Sequence, residues 1–204
     1  MHYIGLKHRL KLKLDKLFHI DRSDEYGYKA KNAYISDDAI IFNKKNLYLF
    51  ENTSIPDGAI ILNPRSKFIM KRGSFSSFNL CVCPGNHMPI VGKWKHEVTD
   101  AIKDSLDTEK RFDKDIIVEE DVWIGINVTL LNGAHIGRGC IIGAGCVISG
   151  EWPPYAIIGG NPAHVIRFLF DIDDIIKHEE ALYSPEDRLS RQELDINFKK
   201  WGSA

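Results

Sequence analysis

The sequence predicts an all-β chain wound into a coil of short parallel strands. Three observations carry that expectation. Six consecutive hexads occupy residues 118 to 153, each opened by an aliphatic residue: Val118, Ile124, Leu130, Ile136, Ile142 and Ile148. The fifth position of the first five is small or β-branched, filled by Val122, Val128, Ala134, Cys140 and Cys146. Glycine takes the second position in three of them, at Gly125, Gly137 and Gly143. A six-residue period is neither a helix period nor a simple strand alternation. It fits short strands joined by tight turns, each turning one large and one small side chain inward.

Along the chain, residues 1 to 20 come first. Leu10, Leu14, Leu17 and Phe18 share a helical face, and Lys7, Arg9, Lys11, Lys13 and Lys16 cover the rest. Two readings are open: an amphipathic helix packed on the coil or on a neighbouring subunit, or a weak basic contact with an anionic membrane surface. Residues 34 to 87 carry a weaker repeat. Ile35 and Ala39, Ile55 and Ala59 fit the hexad, and Ile41, Leu47 and Ile61 continue it. Ile69, Phe75 and Cys81 are read as the next inward series, with Gly73, Asn79 and Gly85 at the small position. Slips near 53 and 67 are read as corner bulges, and the coil is expected to start near 34, after an N-terminal segment of 1–33. The repeat breaks at His87 and resumes at Val118, so 88–117 is an expected loop, helical over Asp104 to Arg111. The coil ends at 167. After Arg167 the pattern turns helical, from Phe168 to Tyr183 and again from a start at Ser184-Pro185. These terminal helices, within 168–204, are expected to cap the solenoid's open end.

Composition bounds the function. Apolar residues make up 44% and charged residues 27% of the 204, and the net charge of −1 gives no field that favours nucleic acid. Cys81, Cys83, Cys140 and Cys146 lack zinc-knuckle spacing and are read as buried small side chains, compatible with a reducing compartment. No signal-peptide pattern is visible, and no run reaches the ~18 apolar residues of a membrane span. The expected location is cytoplasmic, with a peripheral membrane contact as the alternative for residues 1 to 20.

The closing segment, Gly150 to Arg167, reads GEWPPYAIIGGNPAHVIR. With the hexads, it resembles the hexapeptide-repeat acyltransferases. Within them it is similar to the group of maltose, galactoside and capsule O-acetyltransferases and of streptogramin and chloramphenicol acetyltransferases. The resemblance implies a left-handed parallel β-helix, a homotrimer with active sites between subunits, and acetyl-CoA as co-substrate with no metal. It also implies that the loop leaving the coil helps to enclose a neighbour's site. This chain departs from the sugar enzymes in its irregular first coils and in lacking their N-terminal helical acceptor-site segment.

His87, in Pro84-Gly-Asn-His-Met-Pro89, stands where the resemblance places a general base. An imidazole suits that task, because a sugar hydroxyl is a poor nucleophile at neutral pH until a base takes its proton. The attack on the thioester carbonyl produces an oxyanion whose donor the sequence does not identify. Asn79 and Asn86 are candidates to orient the base or the acceptor, with turn roles as the alternative. Lys93 and Trp94 in the loop are candidates for the acceptor. The resemblance lays the cofactor along Trp123, Gly125, Gly143, Ala144, Gly160, Asn161 and Pro162, with Arg167 near a CoA phosphate. A salt bridge from Arg167 to Asp171 or Asp173 is the competing role, and for Trp123 it is a surface aromatic covering the trimer interface.

The leading expectation is an acetyl-CoA-dependent O-acetyltransferase acting on a sugar or polysaccharide precursor. Alternatives are N-acetyl transfer to an amino-sugar, O-acetylation of an antibiotic, and a non-catalytic β-helix scaffold. Zinc-dependent hydration on the same fold needs a closely placed histidine pair, and His87, His135 and His164 lack that spacing.

Overall fold

The computed structural model describes residues 23–202. Residues 1 to 20, with their amphipathic pattern, lie outside the described residues. The chain winds through five complete coils of three short strands each. The coils are β1 (Tyr28–Lys29), β2 (Tyr34–Ile35) and β3 (Ile40–Ile41); then β4 (Leu47–Leu49), β5 (Ser54–Ile55) and β6 (Ile60–Ile61). β7 (Phe68–Met70), β8 (Phe75–Ser76) and β9 (Cys81–Cys83) follow, then β10 (Ile116–Val118), β11 (Trp123–Ile124) and β12 (Thr129–Leu131). The last full coil is β13 (His135–Ile136), β14 (Ile141–Ile142) and β15 (Val147–Ile148), and β16 (Glu151–Trp152) and β17 (Ala156–Gly159) begin another. Every third strand stacks in parallel, giving sheet A (β1, β4, β7, β10, β13, β16), sheet B (from β2 to β17) and sheet C (from β3 to β15). β1 pairs with β4, so the coil begins ahead of residue 34.

The hexads explain this geometry. All six opening residues from Val118 to Ile148 and all five small residues from Val122 to Cys146 are at most 1% exposed. Between them, at the fourth position, Asp121, Asn127, Gly133, Gly139 and Gly145 have positive φ, from 56° to 72°. Asn, Asp and Gly tolerate that left-handed backbone with the least strain, so the chain can turn a corner every six residues. The second-position glycines have another cause. A Cβ on Gly125 would lie 2.7 Å from the Ala144 nitrogen, and one on Gly137 would lie 2.5 Å from the Pro154 nitrogen. The next coil passes too close for any side chain.

Three expectations need correction. In the coil of β7 to β9 the inward residues are Met70, Ser76 and Val82, with Ser74 and Leu80 at the small positions, while Ile69, Phe75 and Cys81 point outward. The registers Val118↔Met70 and Ile124↔Ser76 fix this phase, one residue later than expected. Phe75 misleads because it is an outer aromatic, stacked on Trp123 at 6.3 Å between ring centroids. Ser74 is tolerated inside because its hydroxyl donates to the Glu119 carbonyl at 2.5 Å and accepts from the Val122 N–H at 3.0 Å. Second, the irregularity of the early coils lies at the corner from sheet C to sheet A, not near 53. There a single-turn helix, Lys44–Asn46, is followed one coil later by buried Asn63, whose amide exchanges hydrogen bonds with the Asn43 backbone. Third, the loop helix spans Asp100–Leu106 rather than starting at 104.

The C-terminal end departs from simple winding. β18 (His164–Phe168) follows β17 and runs antiparallel to it. Helices follow at Ile172–Leu182 and Arg191–Trp201. The second does not start at Ser184, where only a single turn forms (Pro185–Asp187). The chain is held back there, because the Arg188 side chain bonds the Tyr183 and Glu180 carbonyls and the Leu189 N–H donates to Glu179. Ser190 and Glu193 then form the capping box that opens the helix. Buried Glu179 also accepts from the Tyr155 hydroxyl at 2.5 Å and from Arg138 at 3.2 Å. Phe198 stacks on Phe168 at 3.8 Å and Trp201 packs on Trp152. The last coil is thereby covered.

Corner and packing positions should respond differently to substitution. Gly145 has open space around a Cβ and a φ of +72°, so Gly145→Asn is expected to change stability by no more than about 0.5 kcal/mol. Gly137→Ala drives a Cβ into the Pro153–Pro154 backbone and is expected to cost about 2–3 kcal/mol. Denaturant unfolding of the two variants checks this contrast.

Candidate functional site

His87 lies just past β9, at the corner from sheet C to sheet A, where the long loop leaves the coil. Its side chain is exposed. Among the described residues its imidazole has no hydrogen-bond partner, so both ring nitrogens are available to solvent or substrate. The backbone leading into it is fixed. Gly85 bridges Asp113, and the Asn86 N–H donates to the Phe112 carbonyl at 2.7 Å.

The root of the loop is an ionic knot. Asp113, 8% exposed, accepts from Arg65 Nε at 2.9 Å and pairs with Lys103 Nζ at 2.7 Å. Lys103 also donates to the Asn86 carbonyl. Arg65 reaches Asp104 and Asp100 as well, so one guanidinium ties the helix Asp100–Leu106 to the coil below. On the next coil Asn132 accepts from the Lys114 N–H at 2.6 Å and donates to the Arg111 carbonyl at 2.8 Å. His87 therefore sits just past the end of a strand and beside a buried anchor, although it belongs to a loop. Sequence reasoning passed over Arg65, Lys103, Asp113 and Asn132.

The other candidates fall into separate groups. Gly125, Gly143 and Ala144 follow sheet B strands at its corner with sheet C. The turn of Gly160, Asn161 and Pro162 continues the same edge, since a Cβ on Gly143 would touch Ile158 and Gly159. Trp123 stands on the outer face of sheet B, 45% exposed, in a column with Phe75 and Tyr34. Arg167, on β18, donates to the Phe168 carbonyl. The expected alternative bridge does not form: Asp173 pairs with Arg191, and Asp171 caps the helix that follows it. The guanidinium remains exposed beside a groove of ≈ 580 Å³ lined with Phe168, Phe170 and Trp201.

Asn79 is not beside His87. It occupies the sheet B to sheet C corner with φ 61°, and its amide donates to Asn127 Oδ1 at 2.9 Å. It is a corner residue in a ladder between coils. Asn86 adjoins His87 through the backbone. Lys93 and Trp94 are exposed near the far end of the loop, Trp94 at 74%. The described chain thus puts His87 and the loop on one corner and the glycine edge on another, with sheet C between them.

A family model, bacterial transferase hexapeptide (six repeats), matches residues 115–150. A probable macrolide acetyltransferase of Lysinibacillus sphaericus is 33% identical over 131 residues, 63% of this chain and 68% of that protein. The chain belongs to the hexapeptide-repeat acyltransferases. A chloramphenicol acetyltransferase of Agrobacterium fabrum is 43% identical over 61 residues, a stretch that spans only 29% of its length. In fold, the family member is similar to a hexapeptide-repeat acetyltransferase of Vibrio cholerae solved with acetyl coenzyme A. The TM-score is 0.60 at 18% identity, covering 84% of this chain and 93% of that one. A maltose O-acetyltransferase of Clostridium difficile gives a TM-score of 0.56 at 21% identity, covering 80% and 87%. The winding is thus the left-handed parallel β-helix.

His135, the other coil histidine, stands apart on sheet A between two carboxylates, Glu119 at 2.8 Å from Nε2 and Glu151 at 2.9 Å from Nδ1. The hydrogen bond to Glu119 raises the imidazole pKa, against the opposing effect of burial. For Glu119 burial acts upward, but His135 and Lys71 outweigh it and hold the carboxyl at about 2. The imidazolium contributes stability that is fully present below its ordinary value of about 6.5 and is lost as pH rises through the raised one. The Glu119 contribution is present above 4.5 and is lost as pH falls toward 2. The melting-temperature gap between wild type and His135→Gln should therefore be widest between about pH 4.5 and 6.5 and should close on the alkaline side; melts across pH read it. At the loop root, Asp113→Ala strands the buried Lys103 ammonium and should cost about 3 kcal/mol. Limited proteolysis should then cut within 88–112 before the coil.

Proposed function

We propose that this chain transfers acetyl from acetyl-CoA to a hydroxyl of a sugar or polysaccharide precursor, with His87 as general base. The observation that carries the reading is the exposed, unpartnered imidazole of His87, fixed where the coil breaks, in a member of this family. Bound along the glycine edge, acetyl-CoA would supply the activated acyl carbonyl. The edge fits such a chain: Gly125, Gly143, Ala144 and Gly160 add at most a methyl group, Ile126 stands 40% exposed among them, and Gly145 leaves open space outside the corner. Asn161, Pro162 and Arg167 stand at its far end, where an exposed guanidinium suits a phosphate.

His87 takes the proton from the acceptor hydroxyl as that oxygen attacks, and returns it to the leaving thiolate. The Asn86 backbone, held to Phe112, fixes where the imidazole starts. Base and glycine edge lie on different corners of one chain, which supports an assembly in which a neighbouring copy supplies the second edge. A homotrimer meets that need with one kind of interface. The outer column of Tyr34, Phe75 and Trp123, each at least 43% exposed, is apolar enough to be covered in such an assembly. A second acceptor class, the hydroxyl of a macrolide-type antibiotic, is favoured by the 33% identity to the macrolide acetyltransferase.

Acetyl-CoA thiol release across sugars, amino-sugars and antibiotics tests the reading. Acceptor-dependent release is expected, falling about 10²–10⁴-fold in His87→Ala while CoA affinity holds. Unchanged turnover in that variant removes His87 as the base. Full activity in a protein that sediments as a monomer removes the shared site.

A further inference from the structure

Charge is segregated along the loop that starts at the base. From Pro84 to His96 the chain contains no carboxylate, while His87, Lys93, Lys95 and His96 are all present. The acids come afterwards, and most are occupied. Asp100, Asp104 and Asp113 converge on Arg65, Asp113 also holds Lys103, and Asp107 holds Arg111. The cations of the tip have no such partners. Lys93, Lys95 and His96 are exposed, and among the described residues their side chains make no hydrogen bond or ion pair.

The tip is also shaped. Residues Lys95–Glu97 form a single helical turn. Glu97, the one acid near it, is folded back so that its Oε2 accepts from the Trp94 N–H at 2.7 Å. Trp94 is 74% exposed, and its sequence neighbours Lys93 and Lys95 are exposed as well. An exposed flat indole with a lysine before and after it in the chain matches a sugar ring that carries negative charge. The ring lies against the indole face, and the charged substituent reaches a lysine. A neutral sugar would use the indole and leave both ammonium groups without a role.

We infer that the loop tip recognises an anionic acceptor, a glycan bearing carboxylate or phosphate groups, through Trp94, Lys93 and Lys95. The inference rests on the acetyl-transfer reading for what happens to that glycan, but its binding step stands independently. The pairs are solvent-exposed, so the preference weakens as salt rises.

Calorimetry on the full chain tests it, with oligogalacturonate and a hexose 6-phosphate as the two anionic probes and a maltooligosaccharide as the neutral control. At least one anionic probe should bind wild type and His87→Ala alike, at least tenfold more tightly than the control; which one binds tells carboxylate from phosphate. Lys93→Gln with Lys95→Gln should weaken that binding about tenfold and leave CoA affinity unchanged. Equal binding of the neutral oligomer overturns the inference, as does wild-type affinity in the double variant. If the double variant loses CoA affinity, its cations serve the cofactor and the inference fails. Binding of phosphatidylglycerol vesicles alone would make the tip a membrane contact and also overturn it. If oligogalacturonate binds but no acceptor gives thiol release, only the transfer reading falls.

Discussion

The six-residue corner is the constraint on which the rest of this molecule depends. From β10 to β15 each corner has one residue in the left-handed backbone region, supplied in turn by Asp121, Asn127, Gly133, Gly139 and Gly145. With the corners set, strands of two or three residues stack in register, and all the inward side chains fall on two of every six positions. A two-residue strand has almost no stability alone. It persists here because the coils above and below complete its hydrogen bonds and its share of the core.

Departures from the period gather at the corner between sheets C and A. The turn at Lys44–Asn46, the segment around Asn63 and Arg65, and the loop between β9 and β10 leave the coil there in three successive turns. The other two corners stay short, so sheets A, B and C remain in register on both sides of the loop. Stacked insertions can also bond to one another. Arg65 from one coil holds Asp113 from the loop of the next, and this contact carries the rigidity of the fold into the segment that follows His87. A loop in a repeat protein would otherwise have only solvent beside it.

Much of this was legible in the sequence. The coil from 118 to 148 could be read residue by residue, because its interior is aliphatic and its corners are Asn, Asp or Gly. The coil of β7 to β9 was misread by one residue. Its interior holds Ser74 and Ser76, and its most conspicuous apolar residue, Phe75, belongs to the outer column. His87 stands out in the sequence because it marks the break. Its supports do not: Arg65 and Asp113 are brought together by coil stacking, and neither lies on a periodic position. Asn79 shows the opposite limit. Its residue type suits both a corner and a binding site, and only the bond to Asn127 places it in the corner ladder. The antiparallel return of β18 left no signal, since Val165 is buried there in the same way as a winding residue.

That return has a consequence for the molecule as a polymer-forming shape. A coil ending on a parallel strand would offer the next molecule the same register that its own coils use, and head-to-tail addition would build a fibre. Here the outermost strand of sheet B runs the wrong way to continue the winding. Trp201 and Phe198 lie across the neighbouring end. Reversal of one five-residue strand thus keeps this end from templating a further coil.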